Sequence, residues 1–203
     1  MKVIPEQDID IPSIVSSLDK GAVIVYPTET CYGLGCDATD AAAVKKIFDI
    51  KQRQQEKSVL VLFPDHHMAM KYVEWNPTLE RISGIYWPGP LTVVARLRSG
   101  MTLPQGVCAL DRTIAFRISS YPLVESLLYG LQKPLVSTSA NIASMESPYD
   151  VASVLNMFEH AVNQPDIIID AGSLPHHAPS TIVSIDHGGI LTVLRQGEIS
   201  IDP

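Results

Sequence analysis

Short apolar runs rich in β-branched residues, each stopped by proline, glycine or a polar residue, recur along this chain of 203 residues. Residues 22–26 (AVIVY) stop at Pro27, and residues 59–63 (VLVLF) stop at Pro64. Comparable runs occupy 91–97, 113–118, 134–136, 167–169, 181–185 and 191–194. Runs of that length with no strict polar alternation read as strands covered on both faces. Between them, residues 9–18, 39–50, 68–73, 79–87, 123–131 and 150–162 place apolar side chains at helical spacing. Thr39 or Asp40, and Asp150, stand where helix N-caps are expected. Gly21 follows the first helix, and Pro88-Gly89-Pro90 follows the fourth. Such mixing of helices and strands predicts an α/β class. The connections are uneven and several adjacent strands can pair antiparallel, so the expected sheet is mixed rather than strictly doubly wound. With no Ser/Gly/Pro-rich linker, one domain over residues 1–203 is expected.

Composition narrows the function classes. Hydrophobic residues make up 46% and charged residues 18%, a globular balance with a sizeable core. A net charge of −7 argues against a coat for long nucleic acids, which draws its affinity from a basic face, and leaves room for a local basic pocket. The opening residues lack a signal-peptide pattern, and no apolar run approaches the ~20 residues of a membrane-spanning helix. A cytoplasmic protein without membrane association is expected. Cys31, Cys36 and Cys108 are spaced for neither a disulfide framework nor a zinc site and read as buried thiols. His66-His67 and His176-His177 are adjacent pairs whose side chains diverge on any regular element, so no metal site is expected.

Five polar segments interrupt the apolar pattern. Tyr26-Pro-Thr-Glu-Thr-Cys-Tyr-Gly-Leu-Gly35 follows a strand directly and reads either as a glycine-containing turn or as a ligand-facing loop bearing Thr28 and Thr30. Lys51, Arg53 and Lys57 cluster between a helix and a strand, where they can converge on a polyphosphate or form a solvated run with Glu56. Lys133-Pro-Leu-Val-Ser-Thr-Ser-Ala-Asn141 carries a short strand straight into hydroxyls and an amide. Leaving such groups buried and unpaired costs roughly 1–3 kcal/mol each, so they either build a turn or face a ligand. Pro179-Ser-Thr181 and Arg195-Gln-Gly197 flank the last strands. No Walker loop, dinucleotide fingerprint or nucleophile elbow is present, so any nucleotide binds some other way.

In this order the segments VIVYPTETCYGLGCDA, KQR, WPGPLTVV, TIAFR, KPLVSTSAN, PSTIVSI and LRQG resemble the YrdC-like family, specifically its threonylcarbamoyl-AMP synthases. The resemblance runs from about Val23 to Gly197. It implies a twisted, open, mixed α/β sheet with a concave, positively lined cavity. It also implies condensation of L-threonine, bicarbonate and ATP with release of pyrophosphate, and Mg²⁺ with the ATP. Handover of the product to a tRNA-modifying protein complex follows, with tRNA contact open. By motif, Lys51 and Arg53 fill a KxR element with a catalytic role, and Ser139 and Asn141 fill an SxN element. Together with Lys57, Thr113, Ser147 and Arg195 these residues are expected at ATP. Thr30, Arg117, Ser137 and Ser180 are expected at threonine, Arg117 at its carboxylate. The chain departs from the family pattern at Gln54, Ser58, Leu62 and Ala143-Ser144. The alternative is a YrdC-like paralogue that binds RNA or nucleotide without synthase activity.

Overall fold

A computed structural model describes residues 1–54 and 58–201. The chain begins with β1 (Lys2–Pro5), a 3₁₀ turn and α1 (Ile11–Asp19). It continues through β2 (Ile24–Pro27), β3 (Tyr32–Gly35), α2 (Ala41–Lys51), β4 (Leu60–Leu62), α3 (His66–Tyr72) and α4 (Pro77–Tyr86). Next come β5 (Leu91–Arg96), β6 (Thr113–Arg117), α5 (Pro122–Leu131) and β7 (Leu135–Ser139). The last elements are α6 (Val151–Phe158), β8 (Ile167–Asp170), β9 (Thr181–Ile185) and β10 (Leu191–Arg195). Helix starts follow local chemistry: Asp10, Asp40, Asp65, Asn76 and Asp150 each accept a backbone N–H from the first turn of the helix they precede.

The strands form one ten-stranded sheet in the order β1-β8-β2-β3-β7-β4-β6-β5-β9-β10. Parallel pairs (β4 with β6, β5 with β9) occur beside antiparallel ones (β2 with β3, β5 with β6, β9 with β10), giving the mixed sheet expected. Successive strand residues point to opposite faces, so each central strand feeds two cores. Ile24, Tyr26, Leu62, Leu135 and Ile169 pack under α1 and α5. Val25, Val61, Val136 and Ile168 join the larger core on the other face, which buries Ile47 and Phe48 of α2 and Leu79 and Ile82 of α4.

Two readings of the sequence are corrected here. The YGLG segment is strand β3 rather than a turn, paired with β2 through Tyr26↔Gly33 and Ile24↔Gly35. A side chain at Gly35 would place its Cβ 2.2 Å from the Val136 carbonyl oxygen, so this glycine exists for close approach of two strands. The strand at 134–136 also runs further than expected, through Ser137, Thr138 and Ser139. Its polar end is therefore sheet, with Ser137 opposite Leu60 and Ser139 opposite Gly33.

Candidate active site

The face of the sheet that packs under α1 and α5 at one end opens into a cavity of about 460 Å³ at the other. Register explains its floor: residues directly opposite in paired strands share a face. Gly33 lies opposite Ser139, Ser137 opposite Leu60, Leu60 opposite Ala115, and Ile182 opposite both Thr92 and Arg195. All of these residues line the cavity. Small side chains at Gly33 and Ala115 leave the volume; hydroxyls and arginines supply its chemistry.

Arg117, the last residue of β6, is 3% exposed, and its Nη1 lies 3.2 Å from Glu29 Oε1. Ser119 Oγ donates to the other carboxylate oxygen of Glu29 at 2.7 Å. Among the described residues, Arg117 Nε is buried without an acceptor, as is Arg53 Nε. A buried donor left unpaired costs more when it is charged, so both guanidinium groups are poised for an acidic ligand. On the adjoining wall Ser180 Oγ and Thr92 Oγ1 share a hydrogen bond of 2.9 Å. Arg195 Nη2 donates to Ser180 O at 2.7 Å and to Ser180 Oγ at 3.2 Å. Thr30 sits in the hairpin turn organised by Thr28, whose Oγ1 lies 3.1 Å from Thr30 Oγ1 and donates to Cys31 O at 2.6 Å.

The opposite wall is built by the end of α2 and the turn after β7. Lys51 is 2% exposed, and its Nζ donates to Ser139 O at 2.5 Å, Asn141 O at 2.7 Å and Asn141 Oδ1 at 3.3 Å. Burial, with Arg53 nearby, lowers its ammonium to about 8. Arg53 donates from Nη2 to Ser58 O at 3.2 Å, and burial pushes its pKa down from the ordinary value. A second hollow of about 590 Å³ lies behind, between Lys51, Gln54, Asn141 and Ser144; Arg53 and Ser139 border both hollows.

The structure thus brings Thr30, Arg53, Arg117, Ser137 and Ser139 to one cavity, with Ser147, Ser180 and Arg195 on its rim and wall. Lys51 and Asn141 border the second hollow. Thr113 stands apart: its backbone N–H and Oγ1 both donate to Asp111 Oδ1, at 3.0 and 2.7 Å. Lys57, and the Glu56 weighed as its partner, lie outside the described residues. Sequence reasoning gave no role to Glu29, Thr92, Tyr149 or His177. Glu29 carried a signal, as the lone acid of the PTET turn; the others meet the cavity only through long-range packing. Cys31 lines the cavity and Cys108 is half-buried, so only Cys36 is the buried thiol expected.

Residues 16–197 match the sequence model of the Sua5/YciO/YrdC family, whose description reads telomere recombination. The chain belongs to that family. It is 35% identical over 191 residues to the threonylcarbamoyl-AMP synthase of Vibrio cholerae serotype O1, which covers 93% of this chain and 97% of that protein. Its fold matches P. abyssi Sua5 complexed with L-threonine at a TM-score of 0.85 and 26% identity. That match spans 97% of this chain but 57% of the Sua5 chain. E. coli YciO matches at a TM-score of 0.81 and 27% identity, over 97% of this chain and 94% of that one. The departures from the Sua5/YciO/YrdC pattern have visible places. Leu62 is fully buried in the core under α1 and α5. Ser144 adopts a left-handed backbone with φ of 71°, which glycine tolerates better.

Proposed function

We infer that this chain is an L-threonylcarbamoyl-AMP synthase, a nucleotidyltransferase that joins L-threonine, bicarbonate and ATP and releases pyrophosphate. The observation that carries this reading is the buried Arg117, set among Ser137, Ser180 and Thr30 on one side of a cavity whose other side presents Arg53 and Ser139. A guanidinium with an unpaired buried N–H suits the carboxylate of an amino acid, and the surrounding hydroxyls suit its polar side chain. The synthase name of the Vibrio cholerae relative and the threonine-bound P. abyssi Sua5 support the same reading.

The chemistry needs orientation and charge neutralisation more than a dedicated acid or base. The threonine amine forms an N–C bond with the carbon of carbon dioxide derived from bicarbonate, losing a proton to solvent. A carbamate oxygen then attacks the α-phosphorus, and the bond from that phosphorus to the pyrophosphate oxygen breaks. Arg117 holds the carboxylate end, and Arg53 meets the charge that develops on the departing pyrophosphate, with Ser139 lining the cavity beside it. Lys57 and Asn141 are assigned to the same polyphosphate, and Ser147 and Arg195 to the rest of the nucleotide; Thr113, held by Asp111, is given no part. Among the described residues no group of three or more His, Cys, Asp and Glu is placed to hold a metal ion. Mg²⁺ would enter with ATP and would supply charge neutralisation to the triphosphate. No helix among the described residues is long and apolar enough to cross a membrane, and we place the reaction in the cytoplasm with handover of the product to a tRNA-modifying complex.

The test is pyrophosphate release from ATP measured with and without threonine and bicarbonate, with the product identified by mass. Release that needs both supports the synthase. ATP or structured-RNA binding with no threonine-dependent release would move the chain to the paralogue reading.

A further inference from the structure

Lys51 has the geometry of an internal clamp. α2 ends at this residue, Gln52 turns through a left-handed conformation (φ 49°), and Arg53 N–H returns to Phe48 O at 3.0 Å. An ammonium has three N–H donors and no acceptor. The Nζ of Lys51 has its acceptors within the protein: Ser139 O, Asn141 O and Asn141 Oδ1, at 2.5, 2.7 and 3.3 Å. The main chain adds a further tie, since Ala143 N–H donates to Lys51 O at 2.9 Å. The turn is then closed on itself: Ser139 Oγ donates to Asn141 Oδ1, and Asn141 Nδ2 to Met145 O, both at 2.5 Å. Nothing in this arrangement leaves an ammonium proton for a phosphate oxygen.

We propose that Lys51 is a positioning residue: it fixes the turn at residues 139–143 against the end of α2, so that Arg53, and not Lys51 itself, meets the triphosphate. The proposal rests on the synthase reading for its kinetic part only. Among the described residues, burial is the largest cause of the lowered Lys51 pKa and Arg53 lowers it further; Cys31 opposes them only as a thiolate, a form that its own burial disfavours. A neutral amine keeps two N–H donors and turns a lone pair toward the third acceptor. The clamp therefore loosens as pH rises through about 8. The folded pKa lies below the ordinary 10.5, so the unfolded chain binds more protons across that window. Global stability from this group rises with pH while turnover falls, and the two trends separate positioning from unfolding.

The experiment compares Lys51→Met with Arg53→Ala. The clamp expects Lys51→Met to lower kcat for pyrophosphate release about 100-fold, the cost of a small misplacement. Its Kd for ATP, by calorimetry, is expected to change less than about threefold, whereas Arg53→Ala weakens ATP more than about tenfold, as loss of a direct charged contact does. In the unsubstituted protein kcat falls above pH 8 with ATP affinity flat, and Lys51→Met lacks that limb. Equal loss of ATP affinity in the two variants overturns the proposal. Should Lys51→Met fail to fold, the Nζ resonance of ¹⁵N-lysine-labelled unsubstituted protein decides. No shift on adding a non-hydrolysable ATP analogue supports the clamp, and a large shift overturns it. If the unsubstituted protein shows no threonine-dependent release, the synthase reading fails, while the affinity and resonance arms still report on the clamp.

Discussion

The cavity holds its cations by different means on its two walls. Arg117, on the strand wall, is neutralised in advance by Glu29, and Ser119 steadies that carboxylate. Lys51, on the helix wall, meets only neutral oxygens among the described residues, and the Arg53 beside it donates to a backbone carbonyl. The strand wall is thus an ion pair in which Arg117 Nε and Glu29 Oε1 still lack hydrogen-bond partners among the described residues, able to exchange or share one carboxylate with another. The helix wall keeps its positive charge uncompensated by these contacts, which suits a ligand carrying several negative charges. One wall is built for a single carboxylate, the other for a polyanion.

Crossed substitutions are the strongest way to break this comparison. Arg117→Ala is expected to raise the KM for threonine about 100-fold or more while shifting that for ATP less than about threefold, given the several kcal/mol carried by a desolvated charged hydrogen bond. Initial rates with each substrate varied in turn check it; a similar loss for both substrates would merge the two walls. Next in size is Glu29→Gln. Removing one partner of a buried ion pair leaves a stranded charge and is expected to cost about 3 kcal/mol of stability, read as a lower urea midpoint at unchanged slope. A midpoint within experimental error of the unsubstituted protein would mean that water, not Glu29, compensates Arg117.

A smaller gain is expected at the turn of the helix wall. Ser144→Gly relieves a left-handed serine and should stabilise the protein by about 0.5–1 kcal/mol, measured by the same denaturation. Least of all, Lys45→Ala removes an exposed pair between Lys45 and Asp49 one turn along α2 and should change stability by less than about 0.5 kcal/mol. A larger loss would show that α2 is marginal and would weaken the view of its end as a fixed wall.

Much of the fold was legible because it rests on local chemistry. Asp40 and Asp150 mark helix starts in the sequence and cap them in the structure. The apolar runs ended close to where the strands end. What escaped depends on partners far along the chain. YGLG looks like a turn because Gly35 answers to β7 rather than to its sequence neighbours; the Val136 oxygen that excludes a side chain there lies on another strand. The candidate site divides in the same way. Period-two spacing in TIAFR sets Ala115 and Arg117 on one face, and both reach the cavity. Thr113 shares that spacing but is claimed by Asp111 two residues before it. The burial of Lys51 could not be read at all, since its acceptors are 88 and 90 residues away.

The cavity floor draws on strands that begin at Tyr32, Leu60, Leu91, Thr113, Leu135, Thr181 and Leu191, from almost the whole length of the chain. No contiguous fragment contains such a floor, so affinity for ligand should emerge only when long-range pairing is complete, the slowest class of contact to form. Recovery of binding after dilution from denaturant therefore times the closing of the sheet itself. A bound ligand, by holding together strands distant in sequence, in turn slows their separation and raises the apparent melting temperature with its concentration.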